Sequence, residues 1–188
     1  MNRDDAWNLL CEFTLTDSLR KHALAVECAM RAYARRYGED EELWGVVGLV
    51  HDFDYEQNPT MPEHTAVGAQ IMRERGWPEE IVLAMLSHAD YSGVPRTTRM
   101  QKALAAVDEL TGLVAAVSLV RPSKNIADVT IKSVKNKWKD KAFAAGVNRK
   151  EIEQCAADLG VPLEEHIGVV LAALQAHAAE LGLDGIKS

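Results

Sequence analysis

Cysteine is scarce in this 188-residue sequence: Cys11, Cys28 and Cys155, an odd count with no CxxC spacing. Such a set reads as reduced, intracellular thiols half-buried in helices rather than as a disulfide framework. Aromatic residues are few while alanine, leucine and valine dominate, so the composition leans helical. No apolar run approaches the ~20 residues a bilayer span requires. The longest lies near residues 112–120. The opening MNRDDAWNLLCEF has no signal-peptide layout, and a cytoplasmic protein that does not engage membranes is expected. Positive charge is in deficit as well. Twenty-one Lys and Arg against 28 Asp and Glu give a net charge of −7, which argues against nucleic acid as the main partner. Internal repeats and low-complexity tracts are also missing.

What is present is helical periodicity. The length suits one domain with a real hydrophobic core, or one domain with an appendage. A short helix is expected over 4–13. Thr16 or Asp17 caps a long one ending at Gly38, with Leu19, Ala23, Val26, Met30 and Tyr33 as its apolar stripe. Further helices are expected over 41–51, 63–75, 78–88, 98–120, 128–145, 149–159 and 162–181. Polar loops fall at 54–62 and 90–98. No strand is expected. The fold class is therefore all-α.

Histidine is also rare, yet four of the six, His22, His51, His64 and His88, fall within one stretch. The helix over 41–51 is almost wholly apolar and then ends in HDFDYE, with His51, Asp52, Asp54 and Glu56 in six positions. Asp108 interrupts the apolar ALAAVDELTGLV. Each histidine alone reads as an ordinary core or surface residue. A buried aspartate, however, costs several kcal/mol unless it is paired or bound to metal. One divalent cation would satisfy imidazoles and carboxylates together, and iron, manganese, cobalt, nickel and zinc accept such mixed ligands. With two oxygens, Asp52 is suited to bridge two ions.

The ordered set His22, His51-Asp52, His64, His88 and Asp108 resembles the HD-domain superfamily of metal-dependent phosphohydrolases, over roughly residues 18–112. The resemblance implies an HD-type helical core over 1–122, with helices over 123–188 completing the same domain as a C-terminal extension. It implies that His22, His51, Asp52 and Asp108 ligate a first divalent transition metal. It also implies that His64 and His88 hold a second, bridged by Asp52, so one or two ions per chain. The stretch from Glu63 to Asp90 is similar in layout to bacterial symmetrical dinucleoside-tetraphosphate hydrolases. Two departures are Phe53-Asp54, where many relatives carry Ile-Gly, and a single histidine in SHAD. The second of these argues against cyclic di-GMP as substrate.

The implied activity is hydrolysis of a phosphomonoester or phosphoanhydride of a small metabolite, nucleotides first, by a metal-activated water. Asp52 and Asp54 are the candidate catalytic carboxylates. Asp90 and Glu56 share with Asp54 the alternatives of proton donor, water-orienting group or solvated loop residue. Arg121, Lys132, Lys135 and Lys139 belong to a basic segment whose lysines share a helical face. That face is either a phosphate-binding wall or a solvated surface. Two alternatives to hydrolysis stay open: a di-iron HD-type oxygenase, and a metal-stabilised binding or regulatory module without turnover. His166 and His177 are expected on the surface, and a homodimer is compatible with everything above.

Overall fold

A computed structural model describes residues 1–185; the last three residues of the 123–188 segment lie outside the described residues. The chain runs through α1 (Arg3–Phe13), α2 (Asp17–Tyr37), α3 (Glu41–Val50), α4 (Glu63–Glu74), α5 (Glu79–Ser87), α6 (Arg99–Leu119), α7 (Ile131–Trp138), α8 (Arg149–Leu159), α9 (Leu163–Ala176) and α10 (Ala178–Leu181). Among the described residues there is no β-strand, only an isolated bridge between Asn125 and Asp184. The fold is all-α, as the periodicity requires.

The two longest helices, α2 and α6, organise the rest. The α2 helix packs on α3, α6 and α9, and α6 packs on α8 and α9. One buried cluster runs from Ala6 through Val107 to Leu183, so the C-terminal helices share the core of the N-terminal ones.

Local sequence explains the boundaries. Asn2 and Asp5 form a capping box at α1. Asp40 accepts the backbone N–H groups of Glu42 and Leu43 at α3. Gly38 ends α2 in the left-handed region, at φ 67°, where a side chain would be strained. The approach of α3 to α2 depends on Gly48. A Cβ there would lie 2.9 Å from the Cα and N of Glu27, closer than backbone tolerates. Glu27 is itself buried, and Arg3 and Arg31 both bond its carboxylate. These paired charges tie α1 to α2, and Arg31 reaches α3 through Glu42 and the Glu41 carbonyl.

Three sequence expectations need correction. The helix expected over 128–145 is only Ile131–Trp138. Thr130 and Ser133 form its capping box after a 3₁₀ turn at Ile126–Asp128. Residues 139–147 are irregular because Arg149 draws their carbonyls inward. Its guanidinium donates to the carbonyls of Trp138, Asp140, Phe143, Ala144 and Val147. The helix expected over 162–181 breaks at His177 into α9 and α10. His166 is not on the surface but fully buried, with Nδ1 2.5 Å from the Tyr33 hydroxyl and Nε2 2.8 Å from the Ala106 carbonyl.

Candidate metal centre

Five elements converge on one cluster. His22 sits in the second turn of α2, and Asp108 at the middle of α6. His51 and His88 are the residues on which α3 and α5 end. Asp52 follows His51 directly, and His64 stands in the first turn of α4.

The ligand atoms fall into two groups, His22–His51–Asp108 and Asp52–His64–His88, each with its atoms within 4.8 Å of one another. In the first, Asp108 Oδ1 is 3.0 Å from His22 Nε2 and 3.5 Å from His51 Nε2. In the second, Asp52 Oδ1 is 3.2 Å from His64 Nε2 and 3.1 Å from His88 Nε2. The other oxygen of Asp52 lies 3.6 Å from His51 Nε2. Asp52 thus spans the groups, one oxygen toward each.

The far ring nitrogen of three histidines is already committed. His51 Nδ1 is 2.8 Å from the Gly48 carbonyl and His88 Nδ1 is 2.6 Å from the Met85 carbonyl. His64 Nδ1 is 3.1 Å from Asp54 Oδ1. A carbonyl only accepts, so at His51 and His88 the proton belongs on Nδ1 and the Nε2 lone pair faces the cluster. His51 Nε2 and Asp52 Oδ1 are buried without a hydrogen-bond partner. The nitrogens around Asp52 Oδ1 stand at bonding distance without aiming at it. Lone pairs converging on a shared gap are what a cation would satisfy, and the donor set fits one or two divalent ions.

Electrostatics agree. Burial disfavours charge on Asp52 and Asp108, but the neighbouring imidazoles outweigh it and hold both carboxyls below the usual carboxylate range. Burial likewise opposes protonation of His64, yet the adjacent carboxylates of Asp52 and Asp54 raise it to about 9. His51 and His88 are raised in the same sense by Asp52 and Asp108. The cluster favours positive charge among its carboxylates, whether supplied by protons or by metal.

Asp54 does not occupy the position expected of a catalytic carboxylate. It is fully buried, and its Oδ2 accepts the backbone N–H groups of Thr65 and Gly68, each at 3.0 Å. Together with the His64 contact, this makes it the strut under His64. Thr65 takes φ 64° to present its N–H, a costly conformation for a β-branched residue. Gly68 allows the approach, since a Cβ there would sit 2.8 Å from Asp54 Cγ. Glu56 is also structural. It accepts from Leu15 N, Thr16 N and Thr16 Oγ1, capping the entry to α2. Asp90 is exposed and tied to Arg96, whose guanidinium also holds the Ser87 and His88 carbonyls.

The basic residues are not brought to this centre. Lys132, Lys135 and Lys139 line a separate cavity of about 480 Å³ with Trp138, where Lys135 pairs with Glu164. Arg121 lines another and bonds Ser133. The α7 helix packs on α6 and α9, while α8 contributes the residue that walls the metal cleft. That cleft, about 390 Å³, has residues the sequence reading passed over: Tyr55, Met61, Tyr91, Glu109 and Glu151. The rings of Tyr55 and Tyr91 lie 5.2 and 6.3 Å from that of His64. Burial, then Asp108 and Glu151, push the Glu109 carboxyl up. A signal for the tyrosines was available: an Asp-Tyr pair follows shortly after each helix-ending histidine, in HDFDY and HADY.

A family model described as HD domain matches residues 19–113. Two crystal structures of the L. monocytogenes phosphodiesterase PgpH HD domain are similar in fold. One matches at 16% identity and TM-score 0.55, covering 93% of this chain and 98% of that one. The other, in complex with cyclic-di-AMP, matches at 16% identity and TM-score 0.51, covering 96% and 100%. No curated protein sequence matches the chain.

Proposed function

The chain belongs to the HD domain family of metal-dependent phosphohydrolases, and from that premise we propose that it hydrolyses a phosphomonoester or phosphoanhydride of a small metabolite at the cluster of His22, His51, Asp52, His64, His88 and Asp108. The observation that carries the reading is Asp52, whose two oxygens face two separate ligand groups. His22, His51 and Asp108 would hold one divalent ion, His64 and His88 a second, and Asp52 both. Bound there, divalent transition metal lowers the pKa of water to near neutrality and offsets charge developing on the phosphoryl oxygens.

The chain's own residues supply the rest. The Gly48 and Met85 carbonyls and Asp54 fix ring orientation, so the ligands need no rearrangement. The cleft admits the ester beside Asp52 and Asp108, with Tyr55 and Tyr91 at its mouth. One water is consumed per ester. Its oxygen bonds to phosphorus, the P–O bond to the leaving alcohol breaks, and the alcohol departs with one of the water's protons.

Residues 123–188 complete the same domain in this reading, because α8 walls the cleft through Glu151. Nucleotides head the substrate panel. The Glu63–Asp90 layout is similar to dinucleoside-tetraphosphate hydrolases, and the PgpH HD domain is described with cyclic-di-AMP.

The test is elemental analysis of the purified chain together with phosphate release across that panel, with and without chelator. Bound transition metal and chelator-sensitive release are expected. Metal-free protein, or metal content unchanged in both His22→Ala and His64→Ala, would refute the ligand assignment.

A further inference from the structure

The charge inventory of the cleft is one-sided. Its lining holds five carboxylates, from Asp52, Asp90, Asp108, Glu109 and Glu151, and among the described residues no lysine or arginine. Arg96 offsets Asp90 from behind. The remaining four carboxylates still match the whole charge of two divalent ions. Nothing positive is left over for the further phosphates of a polyphosphate. Deep-site phosphate binders ordinarily bring arginine, lysine or backbone N–H groups to this task.

What the cleft does offer is a cation site beside the ligands. Glu109 on α6 and Glu151 on α8 both line the cleft, Glu151 adding to the negative potential at Glu109, and among the described residues neither forms an ion pair with an arginine or lysine. Asn148 steadies them, its side-chain amide donating to Glu151 Oε2 at 3.2 Å and its backbone engaging Glu109. The partly exposed rings of Tyr55 and Tyr91 line the same cleft, beside His64. Aromatic faces and carboxylates around one space are the two groups that attract an organic ammonium.

Resting on the hydrolase reading above, we propose that the substrate is a phosphomonoester whose leaving group carries an ammonium, held by Glu151 and Glu109 and faced by Tyr55 and Tyr91 while the phosphoryl group lies at the His/Asp cluster. The class is the aminoalkyl phosphates. Nucleoside polyphosphates are discriminated against because their extra charges meet only carboxylates.

The experiment uses the full metal-loaded chain and three probes: phosphoethanolamine, ethyl phosphate and ATP. Binding is read by calorimetry, and phosphate release in parallel. Phosphoethanolamine should bind about tenfold tighter than ethyl phosphate, the low end of what a charge-assisted hydrogen bond supplies, and ATP should bind weakest. Glu151→Gln should lower that preference, and Glu151→Asp should restore part of it, with metal content unchanged in both. Equal binding of phosphoethanolamine and ethyl phosphate, tighter binding of ATP, or an unchanged preference in Glu151→Gln would overturn the proposal. Phosphate release from none of the esters, with the binding order intact, would instead overturn the hydrolase reading and leave the ammonium site standing.

Discussion

Replacing Asp54 by Asn changes one thing near His64 and spares most others. The buried carboxylate makes three contacts, Oδ2 to Thr65 N and Gly68 N at 3.0 Å each, and Oδ1 to His64 Nδ1 at 3.1 Å. An asparagine that keeps its oxygen toward the two backbone N–H groups must turn its NH₂ toward Nδ1. An NH₂ only donates, so Nδ1 has to accept, and the ring proton moves to Nε2. Nε2 is the atom 3.2 Å from Asp52 Oδ1, and once protonated it has no lone pair for a metal. Loss of such a supporting contact costs about 10–100-fold in metal affinity. That corresponds to about 1.4–2.7 kcal/mol. Only the ion held by His64 and His88 should weaken, since the His22–His51–Asp108 group is untouched. Chelator-competition titration of Asp54→Asn should therefore show one weakened site and one normal site, with the thermal midpoint of the apo protein little changed. Asp54→Ala is the contrasting variant. It strands two buried N–H groups and His64 Nδ1, at about 1–3 kcal/mol each, and should unfold far more readily. If Asp54→Asn binds both metals with unchanged affinity, or if the two variants are equally stable, Asp54 does not set the state of His64.

Gly48→Ala should cost about 1–3 kcal/mol by overpacking, read from urea denaturation, because its Cβ meets the Glu27 backbone rather than a flexible side chain. An unchanged midpoint would mean that α2 and α3 can separate freely. His166, whose pKa burial lowers, should make stability fall with acid. Its folded pKa lies below the unfolded value near 6.5, so the unfolded chain takes the proton first. The contribution is complete above about pH 6.5 and is lost as pH falls below it, by up to about 1.4 kcal/mol per pH unit. His166→Gln should remove that component of the slope between pH 7.5 and 5.5. Metal uptake at neutral pH should release protons, including that of His64, so apparent affinity should rise with pH toward about 9. Calorimetry in buffers of different ionisation enthalpy measures the release, and a buffer-independent heat would contradict it. Lys135→Ala should leave metal content and turnover unchanged, since Lys135 shares no cavity with the centre and loses only an exposed pair with Glu164.

The helices were legible because their caps and breakers act locally. Gly38, Asp40 and Thr98 work within a few residues, and each marks a boundary in the structure. The residues of the candidate metal centre drew notice as a set because rare histidines beside carboxylates in apolar stretches need an explanation, and the structure brings them together. Asp54 was not legible. In sequence it reads as a candidate catalytic carboxylate or a solvated loop residue beside Asp52, and its burial depends on Thr65 and Gly68 arriving from the next helix. His166 failed for the same reason: its partners, Tyr33 and Ala106, lie 133 and 60 residues away. Residues 139–145 continue a helical pattern, but their carbonyls and that of Trp138 are drawn instead to Arg149, a contact periodicity does not show. Lys132, Lys135 and Lys139 line one cavity, although α7 ends before Lys139. Which neighbour they would meet is a tertiary fact that periodicity does not carry.

The abrupt change from apolar helix to His-Asp at position 51 follows from what a helix end leaves over. The last turn of a helix has carbonyls with no intrahelical donor. In α3, the Gly48 carbonyl takes Nδ1–H of His51 three residues on, and in α5 the Met85 carbonyl takes that of His88 in the same way. The pairing gives a helix-end carbonyl a side-chain donor and fixes the tautomer in one step, leaving the Nε2 lone pair toward the cluster. It also places the negative ends of two helix dipoles beside the cluster, where they favour a cation. An apolar helix is the right support, since a dry core on every side leaves the terminal ring no alternative orientation; Val46, Val47, Leu49 and Val50 are all buried. His64 has no such carbonyl because it lies at the start of a helix, where N–H groups are left over instead. Asp54 supplies the missing acceptor and takes up two of those N–H groups with its other oxygen. The buried carboxylate at position 54 is thus the counterpart, at a helix N-terminus, of the Gly48 and Met85 carbonyls at the two C-termini.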